Sequence, residues 1–365
     1  NLITIMSYII SGIQQMGVGV PNVEQIWKWY RKWFGNDVKI FEEAAEAPLM
    51  IDYTGNKVQA RTATLAINMN GGGGFEIWQY TSRNTEKAVF DIQLGDLGLY
   101  ACRMKSRNVQ KHYNDMKAAG EKVLGDLGTA PDGSRHFFVM DPNGNIFNVV
   151  DANDWFMDTS HNGGGVAGTL IGVSDIEKAR VVYSDILGFD QVLYDKTGVF
   201  DDLKGLPGGS GSFRRVLLTH SQDRKGPFSP LLGRGKIELV QATPARSGTD
   251  GDRKPRKIFE NRFWGDWGFI HLCFDVRRMS ELKKVCESKG FPFTVDSGNT
   301  FDMGEAGGHF SYIEDPDGTL IEFVETHKIP VVKKIGWYLN LKKRPDDKSL
   351  PRFMLKALRF ARVKN

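Results

Sequence analysis

A chain of 365 residues with ordinary apolar content and a net charge of +4 is long enough for two globular domains. No apolar run approaches the ~18 residues that span a bilayer. Three cysteines, Cys102, Cys273 and Cys286, in no paired spacing exclude a disulfide framework and a zinc knot, and they read as core thiols of a reducing, cytoplasmic compartment.

The opening Asn1–Ile10 shows neither a charged stretch nor a small-residue cleavage site, so no secretory leader is expected, and Met6 reads as the initiator. Next, Gly17-Val-Gly-Val-Pro-Asn-Val-Glu24 leads into a predicted helix with Ile26, Trp27, Tyr30, Trp33 and Phe34 on one face, closed by Gly35. A strand with a central acid follows, Phe75-Glu-Ile-Trp78. The helix Val109–Gly120 comes next, then a hairpin, Met140-Asp-Pro-Asn-Gly-Asn-Ile-Phe-Asn148, with Pro and Gly where a tight turn needs them.

Asp151–Gly165 reads as an interdomain linker. Beyond it the pattern restarts. Ile171-Gly-Val-Ser-Asp-Ile-Glu177, with Ser174 and Asp175 as candidate N-caps, opens a helix with Ala179, Val182, Tyr183, Ile186 and Leu187 on one face, ending at Gly188. Residues 201–235, rich in Gly and Pro, are expected to be loop excursions before the strand Ile237-Glu-Leu-Val240, and 244–266 a charged connector. The helix Met279–Gly290 and a second hairpin, Glu314-Asp-Pro-Asp-Gly-Thr-Leu-Ile-Glu322, close the series.

The chain thus reads as strand, helix, then several strands, four times, with modules at 11–81, 94–152, 165–243 and 267–327. These fall into domains 1–155 and 165–330, followed by a tail at 331–365. With "GVSDIEKARVVYSDILGF" in the third module and DPxG hairpins in the second and fourth, the chain resembles the vicinal oxygen chelate superfamily, which contains glyoxalase I. The resemblance implies an α+β fold of four βαβββ modules, paired into two cup-shaped mixed β-sheets flanked by helices.

The resemblance also implies where ligands sit: one residue on the first strand and one on the last strand of each module face the cup. Carried over, these are Gln15 and Glu76, Leu99 and Asn148, Gly168 and Glu238, and His271 and Glu322. If modules one and four share a cup, it holds Gln15, Glu76, His271 and Glu322, which is the set of zinc-type glyoxalase I in the same strand order. "QQMGVGV" and "GFIHLCFDV" are similar to its two ligand-bearing first strands. The other cup is then degenerate. Pairing modules three and four instead would gather Glu238, His271 and Glu322.

Two carboxylates, an imidazole and an amide suit one divalent ion, Zn, Ni, Co, Fe or Mn. The implied function is an isomerase or lyase acting on an α-oxygenated carbonyl compound, with Glu322 or Glu76 taking a proton and a metal-stabilised enediolate. Three positions that grip glutathione in glyoxalase I carry Gly19, Tyr80 and Trp267 here, which argues for a different, more apolar substrate. The alternatives are a two-domain non-haem iron dioxygenase, disfavoured by Gly168 where its first His belongs, and a metal-free binding protein of bleomycin-resistance type.

His309, His136 and Glu238 are candidates for supporting or substrate-facing groups. His112 and His220 read as surface residues, and Arg61, Arg135, Arg214 and Arg215 as candidates for gripping an acid. From Lys328 onward twelve Lys/Arg face two acids, so the tail carries near +10 and the rest near −6. A basic tail alone does not predict nucleic-acid binding. Its last stretch predicts an amphipathic helix with Phe353, Met354, Ala357, Leu358 and Ala361 on one face, docked on the acidic body, closing a cup, or resting on an anionic membrane. The expected partner is a small-molecule substrate, and the expected state a monomer.

Overall fold

The computed structural model describes residues 7–243, 254–298, 301–303, 306–332 and 337–363. Met6, residues 244–253 of the connector, 333–336 of the tail and Lys364 lie outside them. Among the described residues no helix is long and apolar enough to cross a membrane.

Each repeat becomes a module. The first is β1 (Ile9–Gly19), α1 (Val23–Phe34), β2 (Val38–Glu46), β3 (Ala60–Ile67) and β4 (Gly74–Tyr80). The second is β5 (Gly98–Ser106), α2 (Val109–Ala118), β6 (Lys122–Thr129), β7 (Arg135–Met140) and β8 (Ile146–Asp151). The third is β9 (Gly163–Gly172), α3 (Ile176–Arg180), β10 (Gln191–Gly198), β11 (Phe213–Thr219), the short α4 (Ser229–Leu232) and β12 (Lys236–Ala242). The fourth is β13 (Gly268–Arg277), α5 (Met279–Ser288), β14 (Val295–Asp296), β15 (Phe301–Met303), β16 (Ala306–Glu314) and β17 (Leu320–Val332). The stretch 201–235 is therefore not all loop. It carries β11, whose Val216, Leu217 and Leu218 are fully buried despite the Gly-rich flanks.

Local chemistry sets the helix ends. The Asn22 side chain accepts from the Gln25 N–H, Asp175 accepts from Glu177 and Lys178, and α1 closes on Gly35 in the left-handed region. The DPxG acids fasten their hairpins. Asp141 accepts from the Asn143 and Asn145 N–H groups at 2.8 and 2.9 Å, and Asp315 from those of Asp317 and Thr319 at 2.9 and 2.8 Å. Each acid also receives a tyrosine hydroxyl from the preceding module: Tyr30 on Asp141 at 2.9 Å and Tyr183 on Asp315 at 2.8 Å. Helices thus tie module one to two and three to four.

The sheets pair the modules the other way. One runs β14-β16-β17-β13-β1-β4-β3-β2, with β15 on β16 and β18 (Trp337–Asn340) on β17; the other runs β10-β11-β12-β9-β5-β8-β7-β6. Modules one and four share the first cup, and modules two and three the second. Each stretch 1–155 and 165–330 gives one module to each sheet. The large apolar core, including Phe34, Phe75, Phe147, Tyr183 and Phe274, fills the space between sheets and helices.

The tail returns to the body through part of the expected face, Leu358 packing against the body while Phe353, Ala357 and Ala361 stay exposed. Leu341, Leu350 and Leu355 are buried against Val38, Met69 and Phe156, and Arg362 pairs with Asp37 at 2.6 Å. In α6 (Arg352–Ala357) and the 3-10 turn after it, Phe353 and Phe360 are 74% and 80% exposed. The helix is too short to present the long stripe the spacing suggested, and Leu355 anchors it.

Candidate metal centre

Strand register brings the first-cup residues together. β1 and β13 run antiparallel with Gln15 beside Cys273 and Gly17 beside His271. The parallel neighbours place Glu76 beside Gly17 and Glu322 beside Cys273. Side chains of one strand alternate between faces, so all four point to one side. His271 Nε2 lies 3.1 Å from Glu322 Oε2 and 3.3 Å from Glu76 Oε2. The Gln15 amide donates to the same two oxygens at 3.3 and 3.4 Å. One ligand atom from each of Glu76, His271 and Glu322 falls within a 4.8 Å span. Gly17 makes this possible, since a Cβ there would stand 2.4 Å from the imidazole.

The site is buried, and its polar balance is incomplete. The Tyr312 hydroxyl donates to Glu322 Oε1 at 2.9 Å and lies 3.3 Å from His271 Nδ1. Its one proton being committed to Glu322, it can only accept from Nδ1–H. A neutral imidazole would then aim the Nε2 lone pair at two carboxylates, an arrangement that favours a proton or a cation on Nε2. His271 Nε2 and Gln15 Oε1 are both buried without a hydrogen-bond partner. Burial would push His271 down, but Glu322 and Glu76 outweigh it and raise it. Burial raises Glu322, whereas on Glu76 the same burial is overcome by His271 and the carboxyl is lowered. A divalent cation between these atoms would answer both carboxylates and the lone pair, and half a turn of the Gln15 amide would offer it Oε1. The residues present therefore fit a metal.

Aromatic side chains surround this quartet. Trp78 meets Trp264 edge-on at 4.4 Å, and Trp264 lies nearly parallel to His271, 19° between planes at 6.3 Å. Met50, Tyr80 and Ile270 complete the apolar wall. Tyr312 was findable, being two pleats before the hairpin on the strand facing Glu322. Trp264 lies outside the repeats and gave no signal.

The second cup has the same register and other contents. Asn148 pairs with Arg103, so the inward first-strand position is Ala101 and not Leu99. The reason is a bulge at Tyr100, matching one at Gln14 in β1, which turns Leu99 to the helix-side core. Arg103 stands where the first cup has Gly17, and Gly168 where it has His271. Glu238 accepts from Arg215 and Tyr194, both at 2.6 Å, and from Arg103 at 3.2 Å. Arg215 grips both oxygens of Asp202 at 2.9 Å, His136 Nε2 lies 3.2 Å from Asp202, and Asn148 meets His136 Nδ1 at 2.8 Å. Glu238 and His136 thus serve this network and do not touch the quartet.

His309 is likewise away from it, on the helix-facing side of β16, 2.6 Å from Asp296. His112 and His220 are buried rather than superficial, and burial pushes each imidazole down to about 4. Of the arginines, Arg61 lies over the Trp78 ring at 4.7 Å with its charge on Glu43, Arg215 sits in the second cup, and Arg135 and Arg214 bind neighbouring polar groups at the surface. The three clamp positions hold no cation. A Cβ on Gly19 would stand 2.0 Å from the Asp266 carbonyl, Tyr80 donates to the Trp264 carbonyl, and Trp267 donates to Thr85 Oγ1 at 2.8 Å.

The family described as Glyoxalase/Bleomycin resistance protein/Dioxygenase superfamily matches residues 12–149 and 165–323. No curated protein sequence matches the chain. Among solved structures, glyoxalase I from Zea mays is similar with a TM-score of 0.51 at 14% identity, covering 87% of this chain and 92% of its own. A putative dioxygenase from Bacillus subtilis is similar with a TM-score of 0.54 at 13% identity, covering 98% and 97%. At such identities the likeness concerns the fold.

Proposed function

The chain belongs to the glyoxalase/bleomycin resistance protein/dioxygenase superfamily, and on that premise we propose that it is a metal-dependent isomerase or lyase acting on an apolar α-oxygenated carbonyl compound. The observation that carries this reading is the convergence of Glu76 Oε2, Glu322 Oε2, His271 Nε2 and the Gln15 amide in a buried cup, with Nε2 and Oε1 lacking partners. Gln15, Glu76, His271 and Glu322 would hold one Zn, Ni, Co, Fe or Mn ion. When bound, such an ion polarises a carbonyl and acidifies the neighbouring C–H.

The remaining work belongs to the chain. Tyr312 holds Glu322 through Oε1, and Gln15 and His271 reach its Oε2, so Glu322 is fixed in place. Glu76 meets the quartet through Oε2, and its other oxygen is our choice for taking the substrate proton. The apolar walls exclude water from that exchange. The closed clamp positions favour a substrate other than a glutathione adduct.

The test is to load the full chain with each of the five metals, count bound ions, and follow exchange of the α-hydrogen of an aromatic α-hydroxy ketone in deuterated water. One ion per chain with metal-dependent exchange, lost in Glu76→Gln, is expected. Oxygen consumption without exchange would favour the dioxygenase reading, and a metal-replete preparation without ions would favour a binding protein.

A further inference from the structure

Among the described residues, the two most exposed large apolar side chains belong to one short stretch of the tail: Phe360 at 80% and Phe353 at 74%. Apolar residues scattered singly over a surface are ordinary, but a contiguous patch marks a contact. The two rings lie seven residues apart, across α6 and the 3-10 turn Leu358–Ala361 that continues it, so about two turns of helix bring them back to one side. Lys356 and Ala357, three and four residues after Phe353, share that side and are exposed as well.

The exposure does not come from a loose tail, because the opposite side of the same stretch is fastened to the body. Leu355 is buried, and the Arg352 guanidinium donates to the Phe156 carbonyl at 2.7 Å. Arg362 pairs with Asp37 at 2.6 Å, and the Val363 N–H donates to the Asp37 carbonyl at 2.8 Å. The cations on the outer side are left over from this docking. Among the described residues neither Lys356 nor Arg359 pairs with a carboxylate, and the Arg359 guanidinium lies over the Phe360 ring at 5.2 Å. From Lys348 onward the sequence holds no Asp or Glu. Two protruding rings are thus framed by cations that the chain itself does not neutralise.

We propose that this outer face of the docked tail is a docking surface for an anionic phospholipid bilayer, with the rings of Phe353 and Phe360 entering the boundary between headgroups and acyl chains and Lys356 and Arg359 meeting the phosphates. Long cationic side chains reach phosphates while apolar neighbours sit deeper. Each cation near an anionic membrane adds attraction, and salt weakens it. A second copy of the chain fits this face less well, because a two-fold contact would set Lys356 and Arg359 against their own kind. A single-stranded nucleic acid is held in a groove that tracks its backbone, and side chains three-quarters exposed protrude and line no groove. No residue of the quartet enters the proposal, so it stands apart from the metal reading.

The test uses the full chain and sedimentation with vesicles of phosphatidylcholine, alone or mixed equally with phosphatidylglycerol. The chain should sediment with the mixed vesicles and not with the neutral ones, and salt at about 1 M, which shortens screening to about 3 Å, should weaken binding. Phe353→Ser with Phe360→Ser should lower affinity about tenfold or more, and Lys356→Glu with Arg359→Glu at least as much. All four side chains being exposed, both double variants should melt with the wild type. Phe353→Trp with Phe360→Trp, which keeps two interfacial rings, should bind as the wild type does and decides the matter should the serine pair melt early. A wild-type chain left in the supernatant with mixed vesicles overturns the proposal, as does a serine pair that binds undiminished or a tryptophan pair that loses binding. So would tighter binding to an oligonucleotide than to the mixed vesicles at the same ionic strength, or a wild-type dimer that the serine pair converts to monomer.

Discussion

The two cups are built on one plan, with the same strand order, the same bulge and the same inward positions, and they resolve their buried charges in opposite ways. In the first, Gly17 leaves room for the His271 ring, and two carboxylates face one imidazole with no arginine among them. In the second, the side chain and the glycine have exchanged strands. Arg103 stands at the Gly17 place, and Gly168 at the His271 place admits no side chain, a Cβ there falling 1.7 Å from the Lys236 carbonyl. Arg103 and Arg215 answer Glu238 from within the chain. One cup leaves its carboxylates without an arginine and the other has supplied its own cations. A Gly/large pair across two central strands decides which.

The largest effect expected from this contrast is in metal content. His271→Ala should lower divalent-ion affinity at least a hundredfold, measured by competition with a chelating dye, while Glu238→Ala should leave affinity within a factor of two. Stability should divide the opposite way. Glu238→Ala leaves Arg103 and Arg215 facing each other in a buried site, and breaking such a pair costs about 3–5 kcal/mol. His271→Ala in metal-free protein leaves Glu322, whose carboxyl burial already raises, able to answer Glu76 by taking up a proton, and should cost less by urea unfolding. Equal metal loss from both substitutions would break the comparison.

A second difference lies four residues along the same strands. Asp275 is buried on β13 with both carboxylate oxygens unpartnered, whereas β9 has Gly172 at the matching place. Burial pushes Asp275 up to about 7, with Ser11 and Arg277 pulling it down and Glu325 pushing it up. An unfolded Asp gives up its proton near ~4. Between about pH 4 and 7 the folded chain therefore keeps a proton that the unfolded chain has lost, so stability from this residue is full below ~4 and is lost as pH rises to 7. Asp275→Asn should be more stable than the wild type at pH 8, on the order of 2–4 kcal/mol at about 1.4 kcal/mol per unit. At pH 4 the two should melt together. A constant difference across that range would show that the carboxyl is charged and paired after all.

Much of this was legible in the sequence because repetition is a strong signal. The Gly-ended amphipathic helices and the two DPxG hairpins each recur, so four modules could be read without a structure. The grouping of Gln15, Glu76, His271 and Glu322 was implied by the superfamily resemblance, with the pairing of modules three and four left as the alternative, and the strand order joins modules one and four. The rest depended on events without a local signature. A bulge of one residue at Tyr100 moved Leu99 off the cup, because a one-residue slip exchanges the faces of a strand. The buried strand β11 hid among glycines. His112 and His220 looked superficial because polarity alone does not reveal a neighbouring helix or loop. Trp264 comes from a connector, and nothing in its own sequence says that it folds back over a site assembled from residues as distant as Gln15 and Glu322.

The smallest change that bears on the comparison is one methyl group at Gly17. Its backbone is ordinary strand, so alanine would not be strained by conformation, and only the neighbour matters. A Cβ there would stand 2.4 Å from Cε1 and Nε2 of His271, while the imidazole is held on its far side by Tyr312 and flanked by Trp264. The ring cannot retreat without breaking those contacts, and overpacking of this kind costs about 1–3 kcal/mol. Gly17→Ala should therefore destabilise the chain modestly and turn the imidazole out of line with Glu76 and Glu322, weakening metal about 10- to 100-fold as the loss of a supporting group does. The converse substitution in the other cup, Arg103→Gly, should not create metal binding, because Gly168 still brings no ligand. If Gly17→Ala kept full affinity, the exchange of glycine and side chain between the strands would be a by-product of divergence and not what separates the two cups.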